Sequence, residues 1–348
     1  MPDSVYITRL SKFLPNKPVT NDQMEKYLGM VGGKPSKAKS IILRNNQIKN
    51  RYYVLHENGR FTYSNTRLTV EAINRLLDDK FSIKDIELLA CGTTSPDQLL
   101  PSHASMVHGE LKGNPVEIIS PSGSCCSGMH ALKYVYLAVL SGEKKNGVCT
   151  GSEKISSWML SDGAGAALLM NEPNETSLSL RIEWIDSISY ANELEICMYA
   201  GGEKLQDGGF KGWVEFEPEE ILERTVFSLK QDVNLLGENI VSFGGRFLFD
   251  IIRKRNVSLE EIDYFFPHIS SEYFRFRIDE EIRKRGGHIP QEKWFTNLSK
   301  LGNVGAASIY FMMEELFHSG KLKKGHKILC MVPESARFSY IYAMMTAV

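Results

Sequence analysis

The 348-residue sequence predicts an α/β protein built twice from one unit. Two observations carry this: short apolar runs alternate with amphipathic helical runs, and the pattern recurs after about half the chain.

The repeat is clearest in two places. Ser82-Ile-Lys-Asp-Ile-Glu-Leu-Leu-Ala-Cys-Gly92 aligns with Ser258-Leu-Glu-Glu-Ile-Asp-Tyr-Phe-Phe-Pro-His268 at an offset of 176 residues. Each begins Ser-x-x-acid, a start signal in which two side chains satisfy two free amides. Each then runs through Ile and an acid into four apolar residues, which read as a short buried strand. Cys126-Ser-Gly128 lies over Asn303-Val-Gly305 at an offset of 177, and both open helical runs, Gly128–Leu140 and Gly305–Phe317. Strand-like Leu178–Ile185 lies in the same way over Tyr6–Leu14. The halves are therefore residues 1–172 and 173–348, joined by the polar stretch MNEPNET at Met170–Thr176.

Within the first half, a helix is expected over Leu68–Asp79. Strands are expected at Ile86–Cys91, Val116–Ile119, Gly147–Thr150 and Ala164–Met170. Such alternation with short turns belongs to layered α/β folds whose sheets are covered on both faces.

Composition narrows the function. Apolar residues make up 43% and charged ones 24%, with a net charge of −1, so no global field favours nucleic acid or an anionic membrane. The N-terminus, MPDSVYITRLSKFLP, has no secretory signal pattern, and no apolar run approaches the roughly 20 residues of a membrane span. The six cysteines (91, 125, 126, 149, 197, 330) lack C-x-x-C spacing, and the adjacent pair is poorly placed to bond to itself. A cytoplasmic protein with reduced thiols and no metal is expected.

The chemistry is expected at a cysteine. Ser122-Gly-Ser-Cys-Cys-Ser-Gly-Met129 joins a strand signal to an apolar helix. A thiol there meets the positive end of the helix and free backbone amides, which favour thiolate and developing oxyanion alike. Buried cysteines more often only fill space. The repeat selects Cys126, because it lies over Asn303, and equivalent loops of related halves meet at the centre. His268 ends the buried strand Phe265-Phe-Pro-His268, and its imidazole emerges at the same centre. Most of the eight histidines need have no such role. Cys126, His268 and Asn303 together form a constellation for acyl transfer.

At these residues the sequence resembles ketoacyl-ACP synthase III, along almost the whole chain. Phe13-Leu-Pro…Thr20-Asn21 is similar to the family's opening Y/F-L-P…T-N. Gly92-Thr-Thr-Ser-Pro-Asp97 with Pro101-Ser102 is similar to T-T-x-P-D…P-S. Cys126-Ser-Gly128 matches C-x-G, and Ser161-Asp-Gly-Ala-Gly-Ala166 matches G-D-G-A-G-A. Pro267-His268 matches P-H, and Gly302-Asn303 with Ala306-Ala-Ser308 matches G-N-x-x-A-A-S.

The resemblance implies a thiolase-like five-layered αβαβα fold and a homodimer. It implies acyl-ACP or acyl-CoA thioesters as substrates, no cofactor, and an acyl carrier protein as partner. It gives Cys126 the acyl group, and has His268 and Asn303 stabilise the enolate that attacks it.

Three departures qualify the likeness. Ile269, Ser270 and Ser271 replace the family's Q-A-N after the histidine. Pro333-Glu-Ser-Ala-Arg-Phe-Ser-Tyr340 replaces its glycine loop, so the Ala336 amide completes the oxyanion hole and Arg337 adds a cation, either near the site or paired with Glu334. Gly151–Ser161 is shorter than the family's segment. The Pro-Glu-Ser-x-Arg-Phe-Ser pattern resembles ketosynthases that join two β-ketoacyl thioesters to a cyclohexanedione, the precursor of dialkylresorcinols. In that chemistry Glu153 is a candidate base, or a second-shell or surface carboxylate. The alternatives are a decarboxylative synthase using malonyl-ACP and a non-catalytic chain-length partner. A papain-like hydrolase is disfavoured by the repeat, and a type III polyketide synthase by the lack of G-F-G-P-G. Arg253–Arg255, Arg283–Arg285 and Lys321–Lys324 are the candidate carrier docks, with solvated helix faces as the plainer reading.

Overall fold

The computed structural model describes residues 2–30, 33–34 and 36–348. The first series of elements is β1 (Tyr6–Phe13), α1 (Asn65–Asn74), β2 (Leu88–Thr93), α2 (His103–Leu111), β3 (Glu117–Ile119), α3 (Cys126–Leu140), β4 (Asn146–Glu153) and β5 (Gly163–Met170). The second is β6 (Leu180–Ser189), α4 (Val233–Arg255), β7 (Tyr264–Pro267), α5 (Tyr273–Lys284), α6 (Ser308–Phe317), β8 (Lys327–Glu334) and β9 (Ser339–Ala347). The strands hydrogen-bond in the order β7-β8-β9-β6-β1-β5-β4-β2-β3. Read outward from the β1–β6 junction, where Ile7 pairs with Leu180, the two wings repeat the same antiparallel–antiparallel–parallel sequence.

Side-chain alternation turns these strands into layers. On β9, Ile341, Ala343 and Met345 face one core with α3 and α6, while Tyr340, Tyr342 and Met344 face another with α4 and α5. On β5, Ala167 and Leu169 face the central core, and Ala164, Ala166 and Leu168 face α1 and α2. Helices α3 and α6 thus lie between two sheet wings, and the other helices cover the outside. This is the predicted thiolase-like αβαβα arrangement.

Glycine makes the centre close. A Cβ on Gly128 or Gly151 would sit 2.3 or 2.2 Å from the Ala306 carbonyl oxygen, so the start of α3 and strand β4 reach the turn before α6 only because both positions lack side chains. Tyr310 Oη completes the contact by donating to the Gly128 carbonyl at 2.8 Å.

Element ends differ from the sequence expectations by a few residues. Helix α1 begins early, at Asn65, because the Ser64 hydroxyl accepts from the Arg67 amide. The second helical run opens with a 3-10 turn at Gly305–Ala307 before α6. Among the described residues no helix is long and apolar enough to cross a membrane.

Candidate active site

Four segments end at one cavity of about 560 Å³: the start of α3, the end of β4, the residue after β7, and the turn before α6. They bring Cys125, Glu153, His268 and Asn303 to its wall. Leu236, Ile240, Phe274, Ile278, Met331 and Trp158 make much of the remainder apolar. The shortened segment after Gly151 supplies that wall through Ser156–Ser161.

The two adjacent cysteines, of which Cys126 was the expected nucleophile, are placed differently. Cys126 is fully buried and absent from the wall; its thiol is directed at the Val332 carbonyl (3.3 Å) and the Ser339 carbonyl (3.8 Å). Cys125, the N-cap of α3, presents to the cavity instead. Successive residues entering a helix point about 100° apart, so the two thiols cannot share one direction. Burial pushes the Cys125 thiol up to about 12, and the Glu334 and Glu153 carboxylates add to the shift. The group at rest is therefore a thiol.

His268 and Asn303 line the same cavity as Cys125, whereas the expectation had set them with Cys126. The backbone amide of His268 donates to the Met331 carbonyl at 2.8 Å, holding the residue against β8. Burial lowers its imidazole to about 4, so it is neutral near pH 7, able to take a proton at one nitrogen and donate from the other. Asn303 Oδ1 accepts from the Gly305 amide at 2.9 Å and the Ser308 hydroxyl at 3.4 Å. Those contacts turn its NH₂ into the donor that is left for a ligand.

Two carboxylates end equivalent strands. Glu153, the last residue of β4, accepts from the Thr94 hydroxyl at 2.6 Å, the Ser95 hydroxyl at 3.0 Å and the Ala306 amide at 3.1 Å. Burial raises it to about 7 despite these donors, and it lies on the cavity wall. Glu334, the last residue of β8, accepts the amides of Ser124 (3.0 Å) and Cys126 (3.1 Å) on one oxygen. It is absent from the wall.

Other expectations fail on position. Ala336 is not on the wall; its carbonyl accepts the amides of Cys197 (2.9 Å) and Met198 (3.2 Å). Arg337 is exposed, donates to the Leu194 carbonyl at 3.2 Å, and makes no ion pair with Glu334. Pro333 and Ser335 reach the cavity in their place. The Ser124 and Cys126 amides are engaged by Glu334, whereas the Cys125 amide between them has no partner among the described residues.

The basic runs also lie elsewhere. Arg253 pairs with Asp250, and Lys254 and Arg255 pair with Asp186. Arg283 and Arg285 pair with Asp279 and Glu281. Lys321–Lys324 precede β8, whose other end approaches the cavity, ~25 Å away along the strand. Among the described residues no group of three or more His, Cys, Asp or Glu is placed to hold a metal.

Comparisons with known proteins find similarity along most of the chain. Residues 252–332 match the family described as 3-Oxoacyl-[acyl-carrier-protein (ACP)] synthase III C terminal. The beta-ketoacyl-[acyl-carrier-protein] synthase III of Clostridium perfringens (strain ATCC 13124) is 27% identical over 332 residues, covering 91% of each chain. Among solved structures, AbyA1, a tetronic acid condensing enzyme, superposes with a TM-score of 0.80 at 17% identity, covering 98% of this chain and 99% of that one. The 3-oxoacyl-[acyl-carrier-protein] synthase III of Aquifex aeolicus VF5 gives 0.75 at 22% identity over 99% of each.

Proposed function

We infer that this chain, a thiolase-like protein related by sequence and fold to the ketoacyl synthase III enzymes, is a condensing acyltransferase that carries its acyl group on Cys125. In the first step the Cys125 sulfur attacks an acyl thioester and its proton passes to His268. The incoming C–S bond forms, the old one breaks, and the departing thiolate takes the proton back. The Cys125 amide and the α3 N-terminus face the carbonyl oxygen that becomes charged.

The second substrate is a β-ketoacyl thioester. Its central carbon is acidified by two carbonyls, so a carboxylate of ordinary basicity can remove the proton. Glu153 takes that proton, and His268 and Asn303 donate to the enolate oxygen. The carbanion attacks the Cys125 acyl carbonyl; a carbon–carbon bond forms, the C–S bond breaks, and the thiol is restored. Closure of the paired chains to a cyclohexanedione-type ring of the dialkylresorcinol class forms a second carbon–carbon bond at a ketone with loss of water, and the remaining thioester is released by hydrolysis with loss of carbon dioxide.

One observation carries this choice: a buried carboxylate of near-neutral proton affinity on the cavity wall. A malonyl carboxylate entering the same space would face an anion in Glu153, which disfavours the decarboxylative alternative. Offered paired β-ketoacyl thioesters with no malonyl thioester present, the protein is expected to form a carbon–carbon-bonded product, read by mass spectrometry. Product only with malonyl thioester, one carbon dioxide per bond, would refute the reading. Convergence of Cys125, His268 and Asn303 on one cavity speaks against a non-catalytic partner subunit.

The thioester arrives on an acidic carrier protein, and its dock is the segment from Met24 to Arg51. That segment holds seven cations (Lys26, Lys34, Lys37, Lys39, Arg44, Lys49, Arg51) against one acid, Glu25. Leu28 and Ile42 of the same segment line the cavity. Lys39 pairs with Glu25 and Arg51 is buried, whereas Lys26, Lys34, Lys37, Arg44 and Lys49 are exposed and outside ion pairs among the described residues. Reversing Lys37 and Arg44 to Glu should raise KM for a carrier-borne thioester by about 10-fold or more, most at low salt. KM for a small N-acetylcysteamine thioester should stay put; equal changes for both would place the dock elsewhere.

A further inference from the structure

The reaction as described leaves the motif Gly92-Thr-Thr-Ser-Pro-Asp97 unused, yet its hydroxyls surround Glu153. The Thr94 hydroxyl (2.6 Å) and amide (3.3 Å) both donate to Glu153 Oε1, and the Ala306 amide donates to the same oxygen at 3.1 Å. Oε2 receives one donor, the Ser95 hydroxyl at 3.0 Å. A carboxylate oxygen has two lone pairs, so Oε1 is filled and Oε2 keeps one free. Thr94 and Glu153 share the cavity wall.

The donors are themselves held in place. Thr93 donates its hydroxyl to the Ser152 carbonyl at 2.7 Å and accepts the Ser95 amide at 3.1 Å. Asn65 Nδ2, at the start of α1, donates to the Thr93 hydroxyl and to the Ser95 carbonyl, each at 2.8 Å. Asp97 accepts the Asn65 and Thr66 amides at 2.9 and 2.8 Å, which fastens the motif to the same helix start. Gly305 makes room on the other side, since a Cβ there would sit 2.8 Å from Glu153 Oε1. The carboxylate is thus held at one oxygen by anchored donors, and hydrogen bonds to a charged acceptor are the strong ones.

We propose that Thr94 is the positioning residue of the base: by filling Oε1 with its hydroxyl and amide, it leaves Oε2 as the atom that takes the proton from the β-ketoacyl thioester. The proposal rests on Glu153 as the base. In that step the C–H bond breaks, its proton goes to Oε2, and its electron pair becomes the enolate. The same proton restores the thiol when the acyl C–S bond breaks. Burial raises the carboxyl to about 7, and the Thr94 hydroxyl is the foremost group opposing that rise. The other titratable and charged groups near it are few. Cys125 and Glu334 lie at the start of α3, and His268 on the same cavity wall. His103 contacts Ser152, Lys154 is tied to Asp97 at 2.7 Å, and Asp162 accepts the Ile155 amide. Burial lowers both imidazoles to about 4, so they are neutral near pH 7. None of these bonds to the Thr94 hydroxyl among the described residues, so its loss can be read without disturbing them.

The test uses the full chain with Thr94→Val, which stays close in shape and loses the hydroxyl, and Thr94→Ser, which keeps it. Condensation of paired β-ketoacyl N-acetylcysteamine thioesters is followed across a pH series. The Glu153 carboxyl is titrated alongside by infrared difference spectroscopy against Glu153→Gln. Removing a donor that favours the charged form raises the carboxyl's proton affinity. In Thr94→Val, the acid limb of the rate and the carboxyl band should therefore both move up by about one pH unit. Plateau kcat should fall about 10-fold with little change in KM, while acylation, read by intact mass, continues as in wild type. Thr94→Ser should return both midpoints to the wild-type position. Midpoints that stay put in Thr94→Val overturn the proposal. Equal shifts in the valine and serine variants overturn it too, because they would mark packing rather than the hydroxyl. A band that moves while the rate profile does not would count against Glu153 as the base and leave the hold of Thr94 on the carboxylate standing. Thr94→Ala gives the same readings should the valine variant fail to fold.

Discussion

Cys125→Ala will abolish the covalent acyl adduct and lower turnover on the order of 10⁴- to 10⁶-fold, the scale on which a lost nucleophile acts. Cys126→Ala will keep the adduct. The asymmetry follows from where each sulfur goes. Cys125 caps α3 and opens on the cavity, whereas Cys126 lies under it, in contact with β8 and β9. For Cys126 to reach a thioester, the helix start must rotate by about 100°. That rotation would break both amide bonds to the Glu334 carboxylate, each worth roughly 1.5–3 kcal/mol as a bond to a charged group. Replacing Cys126 by alanine leaves a small void in a dense core, costing about 1 kcal/mol, which activity assays at moderate temperature tolerate. Intact-mass analysis after incubation with an acyl thioester reads the result directly. An adduct that survives Cys125→Ala and disappears in Cys126→Ala would return the role to the later residue.

The choice between the two adjacent cysteines shows what kind of information the sequence holds. The repeat is legible because buried strands and helix starts impose periodic apolar patterns, and the layered fold follows from them. Its register is not legible to one residue. The offset is 176 at β2 and β7 but 181 between Glu153 and Glu334, because the connecting loops differ in length. Somewhere between those values the helix starts align, and an offset of 178 would have placed Cys125 over Asn303. His268 stands out because it ends the apolar run Phe265-Phe-Pro267, and Asn303 because the repeat sets it over the helix start at Cys126. Helix α4 went unseen, although it is 23 residues long, because Gly244-Gly245 interrupts its propensity. Those glycines are there for packing: a Cβ on Gly245 would lie 2.6 Å from Glu281 Cγ, and the Gly244 carbonyl accepts from Tyr342 at 3.0 Å.

Charges misled for a related reason. Glu334 and Arg337 are three apart in sequence, but Phe338 adopts φ +56° and the turn at the end of β8 sends Arg337 outward while Glu334 points in. The three basic runs drew notice as runs, yet two of them mark helix C-termini already neutralised by acids. The segment beside the cavity has its cations dispersed among apolar residues, so it never forms a run. Proximity to the mouth, which only the folded chain displays, is what makes it stand out.

Glu153→Gln will separate the two chemical steps. Acylation of Cys125 needs His268 and should continue, whereas condensation should fall about 10²- to 10⁴-fold with loss of the base. The pH dependence carries a definite sign. The base works only when ionised, so wild-type condensation should decline as pH falls through about 7, and the variant's residual rate should lack that limb. Stability gives an independent reading of the same carboxyl. Burial raises it from 4.5 to about 7, so the folded state binds this proton more tightly than the unfolded chain does. Its contribution therefore turns unfavourable as pH rises from about 4.5 to 7, reaching ~3 kcal/mol of cost above that window. The glutamine variant should thus gain thermal stability relative to wild type at pH 8 and show little gain at pH 4.5, measured by unfolding midpoints. A carboxylate present only to brace the Ala306 amide would behave differently, since its removal would weaken the fold where it is ionised and leave the pH–rate profile unchanged. Wild-type condensation that is flat between pH 6 and 8, or full condensation by the glutamine variant, would leave Glu153 as a strut. Loss of rate together with gained stability at pH 8 would instead mark a charge that the fold holds, at its own cost, against the reacting carbon.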